Sequence, residues 1–214
     1  MSKVVIFDKD GVIVETKKLH FEKWKRTFNQ HNKKFNEEIL NQMMGRSARE
    51  NIKKFLDPNL SDEFITKILS EQLKSIISMF DRYVSLVPGI LNFLKKLKEA
   101  KTPVALATSS RLESMDLVLD KFKLRSYFQI IINANQISRS KPDPEIYLKA
   151  ANQLKINPKD CVVFEDSYSG VEAAKRAGMK VVLVMTSHTR KDIPAVDLAI
   201  KDFTKININD IRSL

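Results

Sequence analysis

Two aspartates close the segment VVIFDKDG (4–11). On an extended chain, side chains at i and i+2 point to the same side, so Asp8 and Asp10 would stand roughly 7 Å apart. Carboxylates that close repel unless a cation or a shared proton offsets their charge. The spacing alone carries little: with 14 Asp among 214 residues, about one Asp-x-Asp arises by chance. Its placement says more. The apolar run VVIF reads as a buried strand, Gly11 lets the backbone turn tightly after the pair, and ligands of open α/β sheets bind outside the carboxyl ends of the strands.

Other strand ends carry complementary chemistry. PVALAT (103–108) delivers Thr108, followed by Ser109 and Ser110, to the threshold of a helix, whose N-terminal N–H groups favour an anion. CVVFED (161–166) ends in Glu165 and Asp166, and Lys141 lies in SRSKPDPE just before a capped helix. Carboxylates, hydroxyls and a lysine on one sheet edge fit a divalent cation held by oxygen ligands. They also fit a phosphoryl group held by hydroxyls, the lysine and the metal.

The elements that must position these residues follow from periodicity. Leu19, Phe21, Trp24 and Phe28 are spaced for an amphipathic helix over 17–31. Further helices are predicted near 37–44, 48–56 and 62–80, the last capped by Ser61 or Asp62, with no strand between Gly11 and VPGI (87–90). Strands and helices then alternate: helix 89–100, strand 103–108, helix 111–122, strand 128–133, helix 145–154 capped by Asp143 and Pro144, strand 161–166, a helix closed by Gly178, and strand 180–185. The strands are continuous apolar runs, as expected when helices cover both faces of a parallel sheet. The predicted fold is α/β, a Rossmann-like doubly wound parallel sheet formed by 1–14 and 83–214, with an all-helical insertion over 15–82.

Composition narrows the function classes. No apolar run approaches the ~20 residues that span a bilayer, and no secretory signal is evident at the N-terminus, so a cytoplasmic protein with no membrane partner is expected. A lone cysteine, Cys161, excludes an intrachain disulfide and reads as a small buried hydrophobe. The net charge is +11, yet the lysine pairs at 17–18, 33–34, 53–54 and 95–96 are scattered and no block of five like charges occurs. No nucleic-acid partner is expected; a positive field that attracts small anions suits the same charge. His31 and His188 read as loop residues. A monomer or weak dimer is expected.

At FDKDGVIVET, LATSS, SKPDPEIY and VVFEDSYSGVEAAKRAGM the sequence resembles the haloacid dehalogenase-like phosphatases, along essentially its whole length. The place of the helical insertion resembles the small cap of the subgroup containing beta-phosphoglucomutase and many sugar-phosphate phosphatases. MMGRSARE (43–50), with Gly45 and Arg46, is similar to the substrate-facing cap loop of that subgroup, and His20 and Trp24 match positions in its first cap helix.

The resemblance implies that Asp8 attacks phosphorus and that Asp10 serves as general acid and base. Mg2+ would lie between the Asp8 carboxylate, the Asp10 carbonyl, Asp166 and Glu165, the last bound directly or through water. Thr108 and Ser109 would hold phosphate oxygens and Lys141 would neutralise charge. Ser110, His20, Trp24, Gly45 and Arg46 would face substrate, a small phosphorylated metabolite. For His20 and Trp24 a packed tryptophan with a satisfied histidine is an equal reading, as is an exposed linker arginine for Arg46.

Two residues depart from the family pattern. Lys9 stands where an apolar residue is usual; the expectation is that it snorkels to solvent, the alternative that it raises local positive potential. Glu15 replaces a shorter hinge carboxylate. Among rival functions, a phosphohexomutase needs the same core, and a phosphonate hydrolase needs a cap lysine. A dehalogenase has no need of Asp10. A receiver-like signalling module would carry its acidic pair before the acceptor strand, and a basic nucleic-acid-binding protein leaves the strand-end residues unexplained.

Overall fold

The structure is a computed structural model that describes residues 3–188 and 195–214. Six strands form one parallel sheet: β1 (Val4–Phe7), β4 (Val104–Ala107), β5 (Ile130–Ile132), β6 (Cys161–Glu165), β7 (Lys180–Val184) and β8 (Leu198–Ile200). Their spatial order is β5-β4-β1-β6-β7-β8. The chain winds outward from β1 in one direction and returns to wind outward in the other, so β1 lies at the switch point where ligands bind.

Strand alternation explains the two apolar layers. Val5 and Phe7 of β1 join one cluster, with Phe93, Leu94 and Leu97 of α5 (Ile90–Glu99) and Met115 and Val118 of α6 (Leu112–Lys121). Val4 and Ile6 join the other, with Ile146 and Tyr147 of α7 (Glu145–Gln153) and Val171 and Ala174 of α8 (Tyr168–Arg176). Phe7 and Phe164 stack at 4.9 Å between ring centres, with Phe93 and Phe203 against them. This aromatic packing fixes the end of β1, where the next residue is Asp8.

Between Gly11 and Pro88 the chain leaves the sheet. The sequence predicts no strand here, but Val14–Glu15 (β2) and Ser85–Leu86 (β3) pair antiparallel where the chain departs and returns. Two residues per strand are too few to show a period. Glu15 is exposed and opposite Ser85, within this ribbon.

Between the two passes lie α1 (Lys17–Gln30), α2 (Glu37–Met43), α3 (Ala48–Asn51) with its π-helical continuation Ile52–Leu56, and α4 (Asp62–Tyr83). They pack around an apolar cluster of their own that includes Trp24, Phe28, Leu40, Ile52 and Ile65. Ser61 caps α4 by accepting a bond from the Phe64 N–H at 3.2 Å, and α4 runs to Tyr83, beyond the predicted end. At the end of α1 the His31 ring packs edge-on against Phe64.

Two further elements lie outside the expectation: the edge strand β8 and the last helix, α9 (Ile208–Arg212), which Asn207 and Asp210 hold with a capping box. α7 starts at Glu145 as predicted, with Pro144 rather than Asp143 at the N-cap, and the Asp143 carboxylate accepts from the Glu145 N–H at 3.0 Å. Among the described residues no helix is long and apolar enough to cross a membrane.

Candidate active site

Register brings the strand ends together. Phe7 pairs with Leu106 on one side and Phe164 on the other, so Asp8 comes level with Ala107, one residue before Thr108, and with Glu165. The Asp8 N–H donates to the Phe164 carbonyl at 3.0 Å. Lys141, fully buried, places Nζ 2.7 Å from Asp8 Oδ1 and 2.6 Å from Glu165 Oε1. Glu165 is held from every side. Its Oε1 also accepts from the Tyr147 hydroxyl at 2.8 Å, and its Oε2 accepts from the Asp166 and Ser167 N–H groups and the Ser167 hydroxyl.

These contacts set the protonation states. Burial, aided by the charges of Glu165 and Asp10 and opposed by Lys141, pushes Asp8 up to about 7. Burial also works against charge on Lys141 and Glu165, but their mutual attraction wins: Lys141 is raised well above its ordinary value and Glu165 is lowered. Asp166 is pushed well upward by burial and by the charges of Glu165 and Asp8, although it accepts a hydrogen bond from the Ser187 hydroxyl.

Asp8, Glu165 and Asp166 each offer a carboxylate oxygen, all within 4.8 Å of one another. With all three ionised, three carboxylates against one ammonium leave two negative charges in a buried space, and the donors are all oxygen. That set fits a hard divalent cation. Gly11 keeps the space open: with φ +76° it takes a conformation that favours glycine, and a Cβ there would meet Asp166 Oδ2 at 1.9 Å.

Asp10 is enclosed by donors. Its Oδ1 accepts from Lys9 Nζ and from the Thr16 hydroxyl, each at 2.9 Å, its Oδ2 accepts from the Ser110 hydroxyl at 2.7 Å, and His20 Nε2 stands 3.4 Å from Oδ1. Lys9 therefore corrects the snorkelling expectation. It is 2% exposed and turned inward onto Asp10. Snorkelling needs a route to water, and an ion pair with a neighbouring carboxylate offsets the desolvation instead.

Burial opposes ionisation of Asp10, but Lys9 and His20 hold the carboxyl well below the usual range. Lys9→Leu is therefore expected to raise the pKa of Asp10 and move the pH optimum of kcat upward. A pH–rate profile of the variant checks this, and an unchanged profile contradicts it.

A family model described as haloacid dehalogenase-like hydrolase matches residues 5–184. The chain belongs to the haloacid dehalogenase-like hydrolases. It is 35% identical over 181 residues to a phosphorylated carbohydrates phosphatase of Thermotoga maritima, covering 83% of this chain and 82% of that one. It is 32% identical over 188 residues to a beta-phosphoglucomutase of Bacillus subtilis, covering 84% and 82%. The crystal structure of a beta-phosphoglucomutase from Clostridium difficile shares the fold, with a TM-score of 0.90, 24% identity, and coverage of 100% of this chain and 96% of that chain.

In this hydrolase a cavity of about 100 Å³ lies between the strand ends and the inserted helices, and Asp8, Asp10, Thr108, His20, Trp24 and Arg46 are among the residues that line it. The serines expected to face phosphate are engaged elsewhere. Ser110 holds Asp10, and the Ser109 hydroxyl donates to the Gly45 carbonyl at 2.8 Å. Thr108 accepts from the Ser110 N–H at 3.1 Å. Trp24 is 3% exposed and packs edge-on to Phe28, so it serves as core and as cavity wall at once.

Gly45, at φ +77°, lets the cap loop touch the sheet side, because a Cβ there would meet Ser169 Oγ at 2.2 Å and Ser167 Oγ at 2.5 Å. Ser169 donates to the Met44 carbonyl beside it at 2.8 Å.

Sequence reasoning missed Thr16, Tyr147 and Lys23. Tyr147 lies inside SKPDPEIY and Thr16 ends FDKDGVIVET, so both stood in recognised segments, but neither residue type announces a site. Lys23 had no signal: one lysine among 27 on a helix reads as solvated.

Proposed function

We propose that this chain is a Mg2+-dependent phosphatase that hydrolyses a small phosphorylated metabolite, a sugar or polyol phosphate, through an aspartyl-phosphate on Asp8. The observation that carries this reading is the pairing of Asp8 with the buried Lys141 amine, two residues before an acid held in the same cavity. Residues 15–82 act as a cap over a core of 1–14 and 83–214, and the contacts of Ser109 and Ser169 with the Gly45 and Met44 carbonyls hold it closed. Closure excludes water from the reacting groups.

In the first step an Asp8 oxygen bonds to phosphorus as the ester oxygen leaves with a proton that Asp10, ionised in the free enzyme, has first taken from solvent as the ester bound. In the second, Asp10 takes a proton from water as that water displaces Asp8 from phosphorus. Splitting the displacement in two lowers each barrier, and proton transfer from a placed carboxyl typically contributes ~10²–10⁴ in rate. Lys141 stays charged and offsets negative charge at Asp8 in both steps. Mg2+ held by Asp8, Asp166 and the Asp10 carbonyl would neutralise charge on the phosphoryl oxygens. Glu165, occupied by Lys141 and Tyr147, serves chiefly to position the lysine.

Support for the substrate class comes from the Thermotoga maritima relative, a phosphorylated carbohydrates phosphatase. The Bacillus subtilis relative and His20 beside Asp10 favour a second reading, a phosphohexomutase that hands the phosphoryl group back to substrate. Phosphate release across a panel of phosphorylated metabolites, with Mg2+ and with EDTA, tests the first reading; hexose-phosphate isomerisation without release would establish the second.

Metal affinity is expected to follow pH. Binding requires an ionised Asp8, and its carboxyl is raised to about 7. Above that pH Asp8 gives up no proton; below it Asp8 gives up one, so apparent Mg2+ affinity should weaken about tenfold per pH unit from this group alone. Titrations at pH 8 and pH 6 check this, and equal affinities would contradict it.

A further inference from the structure

Lys23 lies one turn beyond His20 on α1, is 5% exposed and lines the cavity. Its Nζ stands 4.7 Å from the centre of the Trp24 ring. Among the described residues it has no carboxylate in ion-pair contact, whereas the Lys9 amine in the same cleft is committed to Asp10. A ring face offsets only part of the cost of desolvating an ammonium. Burial, partly opposed by the charge of Asp10, accordingly lowers Lys23 to about 8.

A second group in the cavity lacks a partner. Asn51 is 3% exposed and donates through Nδ2 to the Met43 carbonyl at 2.9 Å, which leaves its buried Oδ1 with no hydrogen bond. Much of the surrounding wall is apolar, with Trp24, Leu40, Met43 and Leu69. A buried polar atom left unpaired costs free energy, and so does a buried ammonium without an anion. A ligand supplying both an anion and a hydroxyl donor satisfies the two groups together.

We propose that Lys23 binds a second anionic group, a carboxylate or a second phosphate, on the alcohol part of the substrate, while Asn51 Oδ1 accepts a hydroxyl of the same molecule. This rests on the phosphatase reading for what happens at the other end of the ligand. The cavity of about 100 Å³ corresponds to about eight water-sized spaces, which suits a small phosphate ester.

Binding to the Asp8→Asn variant with Mg2+, measured calorimetrically, separates the site from turnover. Glycerol 3-phosphate and 3-phosphoglycerate share a three-carbon skeleton and differ in a terminal hydroxymethyl against a carboxylate; fructose 6-phosphate and fructose 1,6-bisphosphate differ in a second phosphate. The member of at least one pair that carries a second anionic group is expected to bind at least about tenfold more tightly, and which pair shows it identifies the anion. Lys23→Met should erase that preference while leaving affinity for the partner compound within about twofold, and Lys23→Arg should restore most of it.

No preference in either pair overturns the proposal even if Lys23→Met fails to fold, because that comparison needs no cap variant. Equal loss on both members also overturns it, as a packing effect. Phosphate release by the wild-type enzyme is read separately. A preference without release sinks the phosphatase reading alone, and release without a preference sinks the Lys23 site alone.

Discussion

Replacing Asp8 with Asn is expected to lower kcat by at least roughly 10⁴-fold while the protein stays folded and still binds phosphorylated ligands. The amide keeps the shape of the carboxylate and can still contact Lys141, but it cannot displace the ester oxygen from phosphorus. The loss should be far larger than that from a change at the cap, because the Asp10 and Glu165 carboxylates beside it are committed to other partners. Asp10 has its oxygens taken by Lys9, Thr16 and Ser110, and Glu165 is saturated by Lys141, Tyr147 and the start of α8. Residual activity above a hundredth of wild type would mean that another group attacks phosphorus.

Lys141→Met is the second large effect, and it should appear in stability as well as in rate. Among the described residues the lysine is the one cation bonded to both Asp8 and Glu165, and it is fully buried. Removing one partner of a buried ion pair costs about 3–5 kcal/mol, which for a chain of this length is roughly 6–20 °C in Tm. Thermal unfolding in EDTA checks the prediction. Mg2+ should recover part of the loss, because a cation at the acidic cluster offsets the charge that the lysine leaves behind. Combining Lys141→Met with Glu165→Gln should recover stability without recovering activity, since the two residues are in contact and their effects do not add. A variant with unchanged Tm and rate would remove Lys141 from the account.

Much of the core was legible because β1, β4 and β6 are continuous apolar runs that each stop at a polar residue, and because parallel strands in register must put those residues side by side. The inserted helices were legible from the spacing of residues such as Leu19, Trp24 and Phe28. The ribbon of β2 and β3 was not, since two residues cannot carry a period, and β8 and α9 are nearly as short.

Among the site residues, the inward turn of Lys9 was hidden for a physical reason. A lysine between two aspartates can reach solvent or pair with either neighbour, and only the surrounding burial decides. Ser109 shows the same limit. Its hydroxyl follows Thr108 at the strand end, yet it bonds to Gly45, 64 positions away in the chain. Lys23 becomes notable only when the cap cluster closes around it.

The central claim is that phosphate passes through a covalent bond to Asp8. The most direct test is to mix the enzyme and Mg2+ with a 32P-labelled substrate identified by the release panel, quench in acid during turnover, and look for protein-bound label. The label should be stable in acid, released by hydroxylamine, located on the peptide containing Asp8 and absent from Asp8→Asn. Phosphate release with no label on the protein, or a label that persists in Asp8→Asn, would contradict it.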